Sequence, residues 1–324
     1  MHCNHNRMNK EVVPLSVRRH KLVASIRKTL EDQDVLVGVS GGSDSIALLL
    51  LCYAGSLQES ASFKVTAAHI HHGLRDASDN EQLLVETLCK KLAITCITKH
   101  VDVSPIKGSL AAGAREVRYA ALKTIAQEAE CPAVAVAHHA QDQLETMLMA
   151  LCRGSGLRKL SGIASVRPLS PEINLYRPLL QVSKMELEEI CMLADVTWCT
   201  DPTNIDVSTP RGRLRKDVVP VLRDLWNGAD RHASNASMLL HAATDSFHAS
   251  VLDGSIWDRK LLAELPLPVI NATLQQAIGE RATFETISLI SEAVIDTNSH
   301  ARTFQLQDGW EATITSKQVS ITHS

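Results

Sequence analysis

Aromatic residues make up only 3% of the 324 residues, and no apolar run approaches the roughly 18 to 20 residues that span a bilayer. The longest, Ile46 to Leu51 with its flanks, is broken by polar residues, so no membrane-spanning helix is expected. Charge of one sign is lacking too: 33 Lys and Arg stand against 36 Asp and Glu, a net charge of −3, which excludes a polyelectrolyte or a wholesale basic coat for nucleic acid. Any contact with RNA or DNA has to be local. No two of the eight cysteines stand at the two-residue gap of zinc or redox pairs, so buried free thiols in a reducing compartment are expected. Met1 to Lys10 is polar, with no apolar segment after its charges, and does not read as a secretory leader. The expected address is the cytoplasm.

What is present is core-forming material. With 45% hydrophobic residues, a chain of this length has enough for about two domains. From Asp34 onward, short β-branched runs alternate with helical spacing: strand-like 34–40, 64–70, 94–103 and 133–138, and helix-like 44–53, 78–92, 110–130 and 142–152. Such alternation predicts an α/β fold with a mostly parallel, doubly wound sheet, whose ligands collect beyond the carboxyl ends of the strands. Beyond Gly154 it weakens into a Gly/Ser/Pro stretch. Trp226-Asn227-Gly228 marks a helix stop, so the expected division is a flexible 1–14, a catalytic 15–222, and a smaller, mainly helical 223–324. Asp308-Gly309 between alternating runs predicts a terminal hairpin.

The most informative segment is Ser40-Gly41-Gly42-Ser43-Asp44-Ser45, between a buried strand and a helix. Glycines let backbone approach a phosphate, the helix start offers free N–H groups, and three hydroxyls can donate, so the segment reads as an anion cradle. It lacks the lysine and spacing of a Walker loop. A carboxylate beside phosphates needs a cation between, so Asp44 predicts Mg²⁺ as its metal partner. The plain alternative is a serine-rich helix cap.

This segment resembles the pyrophosphate loop of the N-type ATP pyrophosphatases, the PP-loop superfamily. Within it, six further stretches in order resemble the lysidine synthases that act on tRNA(Ile): His69 to Arg75, Ala114 to Tyr119, Ala137 to Thr146 with Arg153 to Leu157, Arg177 to Leu180, Asp201 to Asn204, and Arg211 to Arg215 with Pro220. The likeness spans residues 34 to 222. Gln141, Thr203 and Gly212 depart from the usual Asp, Ser and Asn.

The resemblance implies a ligase that uses ATP and Mg²⁺ to adenylate the C2 oxygen of the wobble cytidine in a CAU anticodon. Free L-lysine then displaces AMP; a homodimer is among the assemblies expected. It implies ATP contacts from Ser40 to Ser45, His69 and Arg115, and catalytic roles for Asp44, Arg115, His138, Asp142, Glu145 and Arg211. RNA or substrate contacts fall to Arg118, Arg153, Arg211 and Arg215.

The residues read by themselves agree. Arg115 and Arg118 stand three apart on one helix face and can offset charge developing at a phosphate. Asp142 and Glu145 share a face near a strand's carboxyl end, where they can hold a metal or an ammonium, or simply cap their helix. His138 suits phosphate contact or proton handling, and a zinc site from His69, His71, His138 and His139 is the rival. Arg211, Arg213, Arg215 and Lys216 form the densest basic cluster, fit for phosphate or for a solvated face. Residues 223–324 hold 7 basic against 12 acidic residues, so tRNA contact is expected to lean on the first domain. Two other functions remain open: a tRNA thiolase of the same superfamily, for which a Cys-x-x-Cys pair should be present, and a non-catalytic ATP sensor.

Overall fold

The computed structural model describes residues 13–71, 77–101, 110–199, 207–248, 251–296 and 300–323. The expected flexible stretch 1–14 falls almost wholly outside them, as do His72 to Arg75 and Asp201 to Asn204 with Thr203. The chain forms two compact units, 1–239 and 240–324.

The first unit is built on β1 (Val35–Gly38), β2 (Val65–His71), β3 (Thr95–His100), β4 (Ala133–Ala135), β5 (Val166–Ser170) and β6 (Ile173–Tyr176), in the order β3-β2-β1-β4-β6-β5. All neighbours are parallel except the β5–β6 hairpin. Its helices are α1 (Lys21–Leu30), α2 (Ser43–Ser56), α3 (Ala77–Leu92), α4 (Leu110–Glu128), α5 (Ala140–Cys152) and α6 (Lys184–Leu193). This is the mostly parallel, doubly wound α/β sheet expected. Val35 and Val37 face one core with α1 and α2, while Leu36 faces the other with Leu122 and Ile125 of α4. Burial on both faces is why β1 reads as a continuous apolar run. Nearly every residue of α2 is buried, a helix apolar all round because it is enclosed all round.

Strand β5 was not legible in the Gly/Ser/Pro stretch. It is an edge strand with no buried residue, and Pro168 sits at its register shift, so it carries no alternating apolar signal. After α6 come α7 (Pro210–Arg213), one π-helical turn at Leu214–Val218, α8 (Val219–Leu225) and α9 (Ala229–His248). The helix stop at Trp226 exists, and Gly228 takes φ +85°, but the chain does not part there. Arg223 pairs with Asp230 at 2.6 Å, Ser234 donates to the Leu180 carbonyl at 2.6 Å, and Ser237 donates to that of Ser161. These contacts keep α9 on the first unit as far as Leu239, so the division falls beyond the expected 222/223.

The second unit contains β7 (Ile256–Asp258), α10 (Arg259–Ala263), α11 (Leu267–Ile278), α12 (Phe284–Ile295), β8 (Arg302–Gln305), β9 (Trp310–Ile314) and β10 (Gln318–His323). The expected hairpin is β8–β9, with Asp308 and Gly309 both at positive φ. It belongs to a four-stranded antiparallel sheet ordered β7-β10-β9-β8. Buried Arg259 donates to the carbonyls of Ala293, Val294 and Asp296 at the end of α12, satisfying acceptors that have no partner within the helix.

Candidate active site

The strand order reverses between β1 and β4, and a crevice opens there beyond the carboxyl ends of the strands. It has a volume of about 620 Å³. The loop after β1 forms one wall and His138 and His139, after β4, form the other. Gly41 takes φ +91°, and a Cβ there would meet the Glu81 side chain at 3.3 Å, so the loop closes over α3 only with glycine. Gly42 caps α2, whose first turn carries Ser43, Asp44 and Ser45. Ser45 Oγ accepts from the Ser40 amide at 3.1 Å, donates to the Gly42 carbonyl at 2.9 Å and lies 3.2 Å from Ser40 Oγ. The cradle is thus held by its own hydroxyls.

Asp44 is not open. Lys184 Nζ lies 2.8 and 2.9 Å from its two carboxylate oxygens and 2.8 Å from Ser43 Oγ, and His139 Nε2 lies 3.5 Å from Oδ2. Burial pushes the Asp44 carboxyl up, but His139 and Lys184 outweigh it and hold it below its usual range. Lys184 escaped the sequence reading. Its one local signal is Ser183 with Glu186, a capping box that starts α6 and sets Lys184 at the first helical position.

Opposite, Asp142 does two things. Its Oδ2 accepts from the His139 amide at 3.1 Å, completing the capping box of α5, and its Oδ1 meets Arg211 Nη2 at 2.9 Å. Burial works against the ionised form, yet His139, His138 and Arg211 draw the Asp142 carboxyl down to about 2. His139 Nδ1 accepts from the Gln141 amide, which leaves Nε2 as the donor facing Asp44 and, at 3.8 Å, Asp142. One imidazole therefore spans the two carboxylates.

Glu145 is fully buried and held from three sides: Arg211 Nε at 2.7 Å, Arg215 Nε at 2.8 Å and Gln141 Nε2 at 2.8 Å. The Gln141 carbonyl oxygen in turn accepts from Arg223 at 2.7 Å. This explains glutamine at 141: as donor to one neighbour and acceptor from another, it does what a carboxylate could not. Gly212 lies in the first turn of α7, where its amide donates to Thr209 Oγ1.

His69 Nδ1 lies 2.9 Å from the Val39 carbonyl, which can only accept, so Nε2 carries the lone pair; it is buried and lacks a partner among the described residues. His138 Nδ1 is equally buried and unpartnered, and burial, with Arg177, Arg115 and Arg211, lowers its titration to about 3 despite Asp142. His138 is neutral at neutral pH. No group of three metal-ligating side chains occurs among the described residues, which removes the four-histidine zinc rival there.

The structure thus brings Ser40 to Ser45, His69, Arg118, His138, Asp142 and Arg215 to one crevice, with Glu145 and Arg211 behind Asp142. Arg115 stacks 5.3 Å from the Tyr119 ring. Arg153 follows the last turn of α5, exposed and outside the crevice lining. Arg213 and Lys216 add nothing there; Arg213 is 73% exposed, 4.0 Å from Asp217.

A doubly wound sheet with a glycine and serine anion cradle at its switch point defines the class. Residues 15–222 match the PP-loop domain, and the chain belongs to the PP-loop family. It is 37% identical over 216 residues to a tRNA(Ile)-lysidine synthase of Actinobacillus succinogenes, covering 67% of this chain and 49% of that one. A tRNA(Ile)-lysidine synthase of Histophilus somni is 38% identical over 196 residues, 60% of this chain and 45% of that one. The chain spans about half the length of the curated relatives it matches. Among solved structures, the U34-tRNA thiolase NcsA from Methanococcus maripaludis with its [4Fe-4S] cluster superposes with a TM-score of 0.56 at 17% identity, covering 68% of this chain and 78% of that one, a likeness of fold alone.

Proposed function

We propose that the protein is an ATP-dependent ligase that joins lysine to C2 of the wobble cytidine in a CAU-anticodon tRNA, acting in the cytoplasm through its first unit. The second unit, residues 240–324, offers further tRNA contact. The observation that carries this reading is the meeting, in one crevice, of an anion cradle and a carboxylate–guanidinium set. The cradle takes a triphosphate at the start of α2, with the free amides of that helix start and the Ser43 hydroxyl donating, Ser40 and Ser45 holding the loop in shape, and Lys184 offsetting charge. His69 Nε2 can accept from a ligand donor. At the crevice wall Asp142 and Arg215 offer one charge of each sign, as a zwitterionic amino acid requires, and Glu145 and Arg211 hold them from behind.

The cytidine O2 attacks the α-phosphorus, forming a P–O bond as the bond to pyrophosphate breaks; the lysine amine then attacks C2, loses a proton and expels AMP. In-line placement and charge offset are what the residues supply. Asp142, held ionised, is the carboxylate that pairs with the incoming ammonium, and neutral His138 stands by the transferring phosphoryl group; Arg115 is stacked on Tyr119 outside the crevice lining. Asp44, ionised and lining the crevice, is the carboxylate that would hold Mg²⁺ in place of the Lys184 ammonium now on its two oxygens. Bound there, Mg²⁺ would neutralise the triphosphate. No helix among the described residues is long and apolar enough to cross a membrane.

The test is AMP and pyrophosphate release from ATP and Mg²⁺ with lysine and a CAU-anticodon tRNA transcript, omitting each in turn. Release that needs both, with labelled lysine entering the RNA, supports the ligase. ATP binding without release overturns it and leaves the sensor.

A further inference from the structure

A second basic group lies beside the crevice and no motif accounts for it as a unit. Around Tyr119 on α4 gather Arg115 at 5.3 Å from the ring centroid, Arg167 of β5 at 4.8 Å, and Arg177, which follows β6 and interacts with the Tyr119 side chain. Arg118, next to Tyr119 in sequence, lines the crevice itself. Arg177 is only 3% exposed; one nitrogen donates to the Ala164 carbonyl at 2.7 Å, while Nε is buried without a partner. His138 Nδ1, also unpartnered, feels the charge of both Arg177 and Arg115. Among the described residues, no carboxylate pairs with any of the four arginines. Arg177 is the buried member of the four, and desolvating its guanidinium without a counter-charge is costly; stacking of its neighbours on the tyrosine face offsets only part of the group's mutual repulsion. Such a group is completed by an anion with several acceptor oxygens.

We infer that Arg115, Arg118, Arg167 and Arg177 around Tyr119 form a phosphate subsite, separate from the Ser40–Ser45 cradle, that takes a backbone phosphodiester of the RNA next to the reacting nucleotide. This rests on the ligase reading, which makes RNA the second substrate. It places a polyanion's backbone on the β4–β6 side of the crevice and the nucleotide triphosphate on the β1 side, so the two phosphates do not compete. Fixed phosphates set the register of a strand without reading its bases, leaving the anticodon base free for the crevice.

The test uses the full chain and a CAU anticodon stem-loop RNA, titrated at several salt concentrations without lysine, beside ATP binding followed separately. Arg167→Gln and Arg115→Gln should each weaken RNA binding about tenfold at low salt and reduce the salt slope by about one. The affinity of Arg167→Gln for ATP should be unchanged. Arg177→Gln carries the larger folding risk, which is why the more accessible Arg167 decides. RNA binding by both variants with wild-type affinity and slope overturns the subsite while leaving the ligase standing. Loss of ATP affinity in Arg167→Gln instead assigns the arginines to the triphosphate and also overturns it. No RNA binding by the wild type overturns the ligase reading, and the subsite with it.

Discussion

Arg211 and Arg215 each end on carboxylates, whereas Arg115, Arg118, Arg167 and Arg177 surround Tyr119 with none among the described residues. The first pair comes from the densest basic run in the chain, and the structure neutralises it with Asp142 and Glu145. The second group comes from three separate elements and stays positive. Density along the sequence therefore measures little about local potential; what counts is which charges the fold sets opposite one another.

Removing the partner of the neutralised pair should have the largest effect. Glu145→Ala leaves Arg211 and Arg215 without their buried carboxylate and should cost about 3 to 5 kcal/mol, read from the denaturant midpoint. A loss below about 1 kcal/mol would show that the two groups of arginines are electrostatically alike after all.

His138 sits between the groups and reports on both. It titrates near 3 when folded against about 6.5 when free, so the unfolded chain binds a proton that the folded one does not between those values. Stability is complete above pH 6.5 and falls with pH toward 3, by up to about 1.4 kcal/mol per unit. His138→Gln should flatten the decline between pH 6.5 and 5; an unchanged slope in unfolding curves would refute the assignment.

Gln141→Glu tests the neutralised side more gently. It replaces the amide donor to Glu145 with a like charge at the same reach, for about 1 to 2 kcal/mol of stability. Smallest is Arg213→Ala: this exposed end of the same basic run should change stability by less than about 0.5 kcal/mol and leave turnover intact.

The strand, glycine turn and helix at 34–53 were legible because burial on both sheet faces writes an unbroken apolar run, and α5 because its motif includes its own cap. Lys184 was not legible as a site residue. It meets Asp44 only because α6 packs on α2, and no local pattern encodes a contact across 140 positions. Arg167 and Arg177 converge because β5 and β6 pair antiparallel, with Arg167 opposite Leu175. A solvated edge strand leaves no periodic trace, so that convergence was hidden as well. The division placed after Leu222 misled for a related reason: a helix stop is a local event, while the Ser234 and Ser237 contacts that hold α9 on the first unit reach across 54 and 76 positions.

With Lys184 on Asp44, the pyrophosphate loop has an occupant of its own. Its carboxylate neither repels its surroundings nor waits for a cation to become ordered, so the loop keeps its shape at rest. On the ligase reading, an arriving triphosphate would meet an ammonium already in place rather than a bare carboxylate. Lys184 would then act as a doorstop, exchanging Asp44 for the phosphates, and the site's affinity for nucleotide should respond to bulk salt far less than a surface that meets an anion with uncompensated charge.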